Sequence, residues 1–372
     1  MWKRNRNLLT RVIVKIGTSS LTSESGEVNV TALSKLVAEV VMARAQGHEL
    51  VVVTSGAITA GVQRLGVSRP EEPEVLQAIS AVGQIDLMRA YGDEFDSHGV
   101  ATGQVLLAPH DFRDRNQYLH AEATFKHLLR LNVVPVVNEN DAVADDAIRY
   151  GDNDRIAALV ANLLRADVLV LLTDTAGVLT ADPRIEPNAT LIEEIAAINE
   201  SIEQVAGTAG SRGSGGMASK LAAARMASWS GVRTVIAAAD RDNVLSDAIA
   251  GIAGTGTAVP ARETHVAARK LWIGFAVSSN GRITVDDGAT KALSQGGGSL
   301  LTAGITEIQG TFSAGDAVEI SNLSDEVFAK GLIAFDSETA QRWKGSRTED
   351  LLPGTSPVAI HRDDLVLLDD PT

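Results

Sequence analysis

The sequence predicts an α/β protein: a three-layer αβα sandwich around a mostly parallel sheet, followed by a small β-rich domain. Short apolar runs alternate with amphipathic segments over roughly the first 260 residues. These runs are rich in Val, Ile and Leu without strict alternation, as in strands that are buried on both faces. Beyond Pro260, short strand-like runs are separated by turn residues. Strands that alternate with helices form βαβ units and a parallel sheet, which accounts for the first part of the chain.

The predicted elements follow one another along that first part. Each strand is a short apolar run, and each helix has its apolar residues spaced for one buried face. The predicted strands are Arg11–Ile16, Glu49–Thr54, Val100–Leu107, Val133–Val137, Asp167–Thr173 and Val232–Ala238. The predicted helices are Thr31–Gln46, Pro73–Ser97, Asn116–Asn132, Asp154–Arg165 and Ser219–Ser230. Because ligands of such folds bind at the carboxyl ends of the strands, residues that follow the strands are the candidates for function.

The β-rich tail has a different texture. Strands are predicted at Arg282–Val285, Ala317–Ile320 and Lys330–Phe335, with turns at Asp286–Gly288 and Gly296–Gly298. These patterns predict a first domain over residues 1–264, a linker over 265–277 and a β-rich domain over 278–372.

Composition excludes several classes of protein. The chain has 372 residues, 33 Lys or Arg against 47 Asp or Glu, a net charge of −14 and no Cys. Disulfides, thiolate nucleophiles and Cys-ligated zinc are therefore excluded, and a chain this acidic is poorly suited to binding a phosphate backbone. Apolar runs such as Val168–Leu172 are far shorter than a membrane span, and Val12–Val14 is too short for a secretory signal. The expected location is the cytoplasm, with no membrane partner.

Two candidate segments follow the first two strands. Lys15 stands at a strand end and is followed by Gly17 and three hydroxyl residues, so that a cation and backbone amides could reach phosphate oxygens. Thr54-Ser55-Gly56-Ala57 leads from a strand into a helix with free amides at its start. Taken alone, a polar turn with a surface lysine and an ordinary capped turn also explain these two patterns.

Two further segments are richer in functional groups. Asn138–Asp141 and Gly151–Asp154 together carry seven Asn, Asp or Glu residues, which could hold a substrate ammonium or hydroxyl group and orient nearby lysines. A metal site stays open there, although no His accompanies them. Ser211–Lys220 is rich in glycine and could wrap around an anion, or it could be a flexible loop. The chain has neither a P-loop nor a dinucleotide-binding fingerprint.

In this order, the segments resemble the amino acid kinase family, and within it the branch that phosphorylates the side-chain carboxylate of L-glutamate. The tail resembles the PUA domain that many members of this branch carry. The matching stretches are Val14–Ser19, Val53–Ile58, Pro135–Asp141, Gly151–Asp154, Leu172–Asp174, Thr180–Arg184 and Gly215–Met217. The resemblance implies transfer of the ATP γ-phosphate to glutamate as the first step of proline biosynthesis. It also implies a requirement for Mg²⁺, feedback inhibition by proline and assembly into a homo-dimer or homo-tetramer.

The resemblance also implies roles for individual residues. Lys15 and Lys220 match the cations on the transferring phosphoryl group, and Asp154 matches the acid that holds them. The glutamate-binding positions correspond to Ser55, Asp141 and Asn153. The nucleotide-binding positions correspond to Lys15, Thr173, Asp174, Ser214, Gly215, Gly216, Met217, Ala218, Ser219 and Lys220. The metal ligands and the role of the tail stay unassigned.

Two alternatives remain at this point. The first is another amino acid kinase, acting on acetylglutamate, aspartate, carbamate or a nucleoside monophosphate. The second is an RNA-binding protein, since PUA domains often serve that purpose. Residues 271–372 carry seven Lys or Arg against 15 Asp or Glu, and aromatic residues make up only 4 % of the chain. Charge and aromatic content therefore count against nucleic acid as a partner.

Overall fold

The chain divides into two compact units, Met1–Val266 and Ala267–Thr372. The computed structural model describes residues 9–23, 26–112, 115–143, 153–182, 185–196, 198, 202, 216–263, 266, 268–351, 354 and 356–368. None of the helices in these ranges has the length and apolarity needed to cross a membrane.

The described part of the first unit is built on a seven-stranded sheet in the order β3-β4-β2-β1-β5-β6-β7. Its strands pair in parallel except β7, which is antiparallel to β6. The central strand β1 pairs with β2 on one side and with β5 on the other, so that Val14 lies beside Val52 and Val170. The strands are β1 Arg11–Ile16, β2 Glu49–Val53, β3 Thr102–Leu107, β4 Val134–Glu139, β5 Val168–Thr173, β6 Arg233–Ala238 and β7 Thr257–Val259.

Helices cover both faces of this sheet. They are α1 Thr18–Leu21, α2 Val30–Ala45, α3 Ala57–Leu65, α4 Pro73–Ser97, α5 Arg115–Arg130, α6 Asn153–Leu163, α7 Met217–Trp229 and α8 Val244–Ala250. Side chains of α2, α4 and α8 form one apolar core with alternate residues of β1, such as Val12 and Val14. On the other face α6 packs against β1 and α7, and α7 against β6. Since successive strand residues point to opposite faces, Ile13 and Lys15 belong to this second face.

The predicted α/β sandwich with a mostly parallel sheet is confirmed. All six predicted strands are present, with ends that differ by at most two residues, and α4 has the predicted bounds. In the first unit, β7, α1 and α8 were not predicted, because three, four and seven residues are too few to show a clear period. Helices α6 and α7 begin at Asn153 and Met217, one and two residues before their predicted starts.

The second unit is rich in β-structure, as expected. A five-stranded sheet runs in the order β10-β8-β11-β12-β14, and β13 pairs with β9. Its core includes Ile283, Val318, Ile320 and Ile360. The strands are β8 Gly281–Val285, β9 Leu300–Leu301, β10 Ile305–Gly310, β11 Ala317–Ser321, β12 Val327–Leu332, β13 Val358–Ile360 and β14 Leu365–Leu367, and the helices are α9 Ala268–Leu271, α10 Asp287–Gly296 and α11 Ser337–Trp343.

Two predictions for this tail were wrong in detail. The supposed turns at Asp286–Gly288 and Gly296–Gly298 are the two ends of helix α10: the Asp286 side chain accepts a hydrogen bond from the Ala289 amide, and Gly297 ends the helix in the left-handed conformation. The strand predicted at Lys330–Phe335 lies three residues earlier, where it pairs with β11 and β14.

The segment predicted as a linker also has regular structure. Residues 268–271 form α9 and residues 272–276 a π-helical turn, with Leu271 and Ile273 fully buried. These residues pack against β12 and β14 of the second unit.

Candidate active site

Two lysines and one aspartate form a buried cluster at the carboxyl end of β1. Lys15, near the end of β1, places Nζ 2.6 Å from Oδ1 of Asp154. Lys220, in the first turn of α7, places Nζ 3.2 Å from Oδ2 of the same carboxylate. Asp154 is 0 % exposed, Lys15 2 % and Lys220 5 %. The side chains predicted to act on one phosphoryl group therefore lie within one cluster, although 205 positions separate the two lysines in the sequence.

The charge of Asp154 is maintained by its partners. Burial by itself raises the pKa of this carboxyl group, but the adjacent Lys15 and Lys220 ammonium groups outweigh that effect and lower the pKa below its ordinary value. The Ser219 hydroxyl also donates to Oδ2, at 3.1 Å. Asp154 therefore stays ionised and holds both lysines in place, which leaves little freedom for either ammonium group to move.

The turns that follow β1 and β2 lie side by side next to this cluster. Gly56 adopts a left-handed conformation (φ 107°), which a residue with a side chain rarely takes, and it caps the start of α3. A Cβ atom at Gly56 would lie 3.5 Å from Thr22 and 3.9 Å from Thr18. A Cβ atom at Gly17 would lie 3.6 Å from the Lys15 ammonium group. Gly17 therefore leaves the space beside the Lys15 ammonium group free of a side chain, and Gly56 allows the turn after β2 to lie close to α1.

A second polar cluster lies at the carboxyl end of β4. The Ser80 hydroxyl donates to Oδ2 of Asp141 at 2.5 Å. The Glu139 amide donates to Oδ1 of Asn153 at 3.1 Å, and all four of these residues are at least nine-tenths buried. Asn153 immediately precedes Asp154 at the start of α6, which joins this cluster to the lysine cluster.

The Asp141 carboxyl group differs from that of Asp154. Its pKa is raised, because burial outweighs the hydrogen bond from Ser80 and the charge of Arg69, both of which lower it. No lysine or arginine contacts the carboxylate in the described part of the chain. Asp141 is thus a buried carboxylate that a cationic group of a ligand would stabilise.

Helix α4 supplies polar contacts that the sequence analysis did not identify. Ser80 reaches Asp141, Gln84 accepts a hydrogen bond from Asn138 at 2.8 Å, and the Tyr91 hydroxyl donates to Thr54 at 3.0 Å. Burial raises the pKa of the Tyr91 phenol, which keeps it neutral. These polar residues share one face with the buried Leu76, Ile79 and Leu87. Their interruption of an apolar helix face is the signal that could have identified them.

Close packing fixes α4 against α3. A Cβ atom at Gly83 would lie 1.9 Å from the Ala57 carbonyl oxygen, and one at Gly61 would lie 2.0 Å from the Ile79 carbonyl oxygen. Only glycine allows the two backbones to approach so closely. The crossing therefore aligns the Ser80–Gln84 face with the end of β4.

The predicted nucleotide-binding residues are only partly described. Thr173 ends β5 and donates to Oδ1 of Asp174 at 3.1 Å, and both line a cavity of about 410 Å³. Lys35 and Glu39, which line the same cavity, pair with each other at 2.7 Å. Gly216 precedes α7, whose first turn contains Met217, Ala218, Ser219 and Lys220. Ser214 and Gly215 lie outside the described residues, as do Gly151 and Asp152 of the acidic segment.

Ser55 is buried (7 % exposed) between the end of β2 and Gly56. No group of three His, Asp or Glu residues in the described ranges could hold a metal ion. Both oxygens of Asp154 are already occupied by lysines.

Comparison with known proteins identifies the family. The model of the amino acid kinase family matches residues 10–238, and that of the PUA domain matches residues 281–352. The chain belongs to the amino acid kinase family. A glutamate 5-kinase of Paraburkholderia phymatum is 42 % identical over 364 residues, which cover 96 % of this chain and 98 % of the relative. A glutamate 5-kinase of Burkholderia orbicola is 43 % identical with the same coverage.

A solved structure of isopentenyl phosphate kinase from T. acidophilum, in complex with product, is 21 % identical, with a TM-score of 0.48. It matches over 67 % of this chain and 100 % of its own. In the chain described here, the match to the amino acid kinase family spans β1 to β6 and so includes both polar clusters. The resemblance read from the sequence motifs is therefore confirmed at the level of the family and of the PUA domain.

Proposed function

We propose that the protein is a glutamate 5-kinase: it transfers the γ-phosphate of ATP to the side-chain carboxylate of L-glutamate and forms L-glutamyl 5-phosphate, the first step of proline biosynthesis. The observation that carries this proposal is the pair of buried lysines held on one carboxylate at the end of the central strand. The near full-length similarity to glutamate 5-kinases supports the choice of acceptor.

The chemistry requires charge compensation rather than a base. A glutamate side chain has an unperturbed pKa of about 4.3, so at neutral pH it is already a nucleophilic carboxylate. The difficulty is its approach to the triphosphate, since like charges about 4 Å apart repel by roughly 4 kcal/mol at an effective dielectric constant near 20. Two ammonium groups on the transferring phosphoryl group would offset this repulsion and stabilise the charge of the transition state.

We assign Lys15 and Lys220 to this role and Asp154 to the positioning of both. Because Asp154 uses one oxygen for each lysine, a single buried carboxylate sets the distance between the two ammonium groups. Backbone amides at the start of α7 and in the turn after β1 would donate to phosphate oxygens. The nucleotide-binding role of Thr173, Asp174 and the Ser214–Lys220 segment belongs to the same proposal.

The acceptor would bind between the two polar clusters. Its side-chain carboxylate would face Lys15 and Lys220, and its α-amino acid end would face the cluster at the end of β4. Asp141 is suited to the α-ammonium group, because that cation would compensate a buried carboxylate whose pKa is raised by burial and which no lysine or arginine of the described residues contacts directly. Ser55 and Asn153, both buried beside these clusters, would complete the site.

Mg²⁺ would enter as part of the MgATP substrate. Magnesium in kinases commonly binds to phosphates and water with few protein ligands, which suits the donor set of the described residues. Bound to ATP, the ion neutralises part of the phosphate charge. The proposal also includes inhibition by proline, assembly into a homo-dimer or homo-tetramer, a cytoplasmic location and the assignment of catalysis to residues 1–264.

The deciding experiment traps the product. Purified protein is incubated with ATP, Mg²⁺, hydroxylamine and either L-glutamate, N-acetyl-L-glutamate, L-aspartate or no acceptor, and hydroxamate is measured. ADP release is measured in parallel with carbamate and uridine monophosphate. Hydroxamate that forms only with L-glutamate supports the proposal, and turnover of another acceptor in preference to L-glutamate contradicts it. When Lys15 or Lys220 is replaced, Lys126→Ala is the control, because it removes a half-exposed lysine that pairs with Glu122 on α5.

A further inference from the structure

The amide group of Gln84 has one atom whose role the internal contacts leave unexplained. Gln84 is 8 % exposed, and its Oε1 accepts a hydrogen bond from Nδ2 of Asn138 at 2.8 Å. Its Nε2 is buried and has no hydrogen-bond partner in the part of the chain that the structure describes. Buried amide donors in folded proteins are nearly always paired, so an unpaired one requires an explanation.

The orientation of this amide is fixed by its neighbour. Oδ1 of Asn138 accepts a hydrogen bond from the Glu139 backbone amide at 2.9 Å, which leaves Nδ2 of Asn138 as the atom that faces Gln84. Since Nδ2 is a donor, the atom of Gln84 that meets it must be the acceptor Oε1. Rotating the Gln84 amide would bring two donors together, so Nε2 is the atom left for another partner.

The position of Gln84 indicates the kind of partner. It lies one helical turn after Ser80, whose hydroxyl contacts Asp141, and beside Asn138 at the carboxyl end of β4. In the sheet, β2 separates β4 from β1, so the end of β4 lies about 10 Å from the end of β1 at the usual strand spacing. A ligand that reaches from Lys15 to Gln84 would therefore present to Gln84 the end remote from phosphoryl transfer.

We propose that Nε2 of Gln84 binds the α-carboxylate of the acceptor amino acid, while Asp141 binds its α-ammonium group. This inference rests on the proposed function and adds to it a residue that recognises the α-carboxylate of the acceptor. The pairing matches donor to acceptor and charge to charge: the amide N–H group faces a carboxylate, and the aspartate faces an ammonium group. Binding of the acceptor then satisfies the one hydrogen-bonding atom of Gln84 that lacks a partner in the free protein.

Two substitutions at Gln84 separate binding from structure. Gln84→Glu keeps an acceptor oxygen for Asn138 but replaces the N–H donor by a carboxylate oxygen, which repels the α-carboxylate. Gln84→Met removes both functions at similar volume. Gln63→Met removes an exposed glutamine amide from the neighbouring helix α3 and is the matched control.

For both Gln84 variants we expect the KM for L-glutamate to rise by about tenfold or more, the effect of losing a hydrogen bond to a charged group. The KM for ATP should stay within about twofold of the wild-type value, since Gln84 lies apart from the phosphoryl-transfer residues. Gln63→Met should leave both constants unchanged. A KM for L-glutamate that is unchanged in Gln84→Glu overturns the inference.

A second substrate gives a readout that a purely structural role would not change. In L-isoglutamine the α-carboxylate is replaced by a carboxamide, whose N–H groups would donate to the new carboxylate of Gln84→Glu. The ratio of kcat/KM for L-isoglutamine to that for L-glutamate should therefore rise by about tenfold or more in this variant. An unchanged ratio contradicts the inference.

Direct binding of L-glutamate, measured by calorimetry on the same proteins, separates this inference from the proposed function. Wild-type protein that binds L-glutamate in a Gln84-dependent way but forms no hydroxamate overturns the proposed function alone. Wild-type protein that forms hydroxamate while the Gln84 variants bind L-glutamate equally well overturns the role of Gln84 alone. Absence of both binding and hydroxamate overturns both.

Discussion

Asp154 divides its two carboxylate oxygens between two lysines, Lys15 on β1 and Lys220 on α7. A buried ion pair is a poor source of stability, because the desolvation of the charges offsets their attraction. Here all three charged groups are fully or nearly fully buried. Their desolvation costs free energy that apolar residues at the same positions would not cost. That cost is consistent with a functional reason for the cluster, namely two ammonium groups at a fixed separation.

The first prediction concerns these lysines. Lys15→Ala and Lys220→Ala should each lower kcat by about 100- to 1,000-fold, the usual effect of removing one group that stabilises transition-state charge. The KM for ATP should change far less. Steady-state kinetics below the unfolding temperature measures both, with circular dichroism to verify the fold, since an unpaired buried charge costs about 3–5 kcal/mol. A change confined to KM would contradict the role in the transition state.

The second prediction concerns Asp141, whose pKa is raised by burial. A carboxyl group with a raised folded-state pKa contributes stability below its unfolded pKa and loses that contribution as the pH rises through the folded value. Asp141→Asn has no such loss, so at pH 7 the variant should be more stable than the wild type. This gap in the free energy of unfolding between variant and wild type should narrow as the pH falls toward the ordinary carboxyl pKa of 3.8.

Urea denaturation of both proteins at several pH values between about 4 and 8 measures this gap. The same variant should raise the KM for L-glutamate by about tenfold or more, because the proposed partner of the α-ammonium group loses its charge. Greater stability together with weaker acceptor binding is the pattern of a residue selected for function. A variant that is less stable at pH 7, or a gap that does not depend on pH, would count against this account of Asp141.

At the scale of elements, helix α4 connects packing to the site. Its crossing with α3 depends on Gly61 and Gly83, and the same helix brings Ser80 and Gln84 to the end of β4. A small rotation of α4 would therefore move polar side chains at the acceptor end of the site, although the helix carries none of the family motifs.

The third prediction tests this crossing with two glycines of α4. Gly83→Ala places a Cβ atom 1.9 Å from the Ala57 carbonyl oxygen and should destabilise the protein by about 1–3 kcal/mol or more. At Gly92 an added Cβ atom meets nothing within 4 Å, so Gly92→Ala should stabilise by about 0.5–1 kcal/mol through helix propensity. Thermal or urea unfolding compares the two variants. Equal effects would show that the crossing tolerates a wider spacing than the structure has.

Much of this organisation could be predicted from the sequence, and the limit is physical. The strands and α4 were predictable because apolar runs and Pro73 mark them locally. The resemblance assigned Lys15, Asp154 and Lys220 to one site, and their side chains lie in contact. The contacts of Ser80 and Gln84 were not predictable, because they depend on which strand lies under α4. That depends on the strand order, which no local pattern encodes. The ends of α10 were misread because a helix cap and a turn use the same residue types.

At the scale of the whole molecule, the two units have separate apolar cores, and the described site residues all lie in the first unit. Residues that form a core of their own can fold as an independent domain. The fourth prediction is therefore that a fragment of residues 1–266 forms hydroxamate at a rate within about threefold of the full chain. A folded but inactive fragment would show that the second unit contributes to catalysis.

The fifth prediction concerns the second unit and nucleic acid. Its sequence is markedly acidic, so it should release few counterions from a polyanion. In a gel-shift assay with tRNA, the full chain should show no retained complex at physiological salt. A complex that persists from low to physiological salt would contradict this and would identify an RNA-binding role.

The central position of β1 bears on how the protein loses activity when heated. Three strands lie on either side of it in the described sheet, so the strand that carries Lys15 is the farthest from both edges. Local opening begins at exposed peripheries, and the most protected segments open only with global unfolding. Fraying at β3 or β7 would leave the strand that carries Lys15 paired on both sides. A partly heat-inactivated sample should therefore contain active folded molecules and globally unfolded ones, with few molecules that are partly folded but inactive.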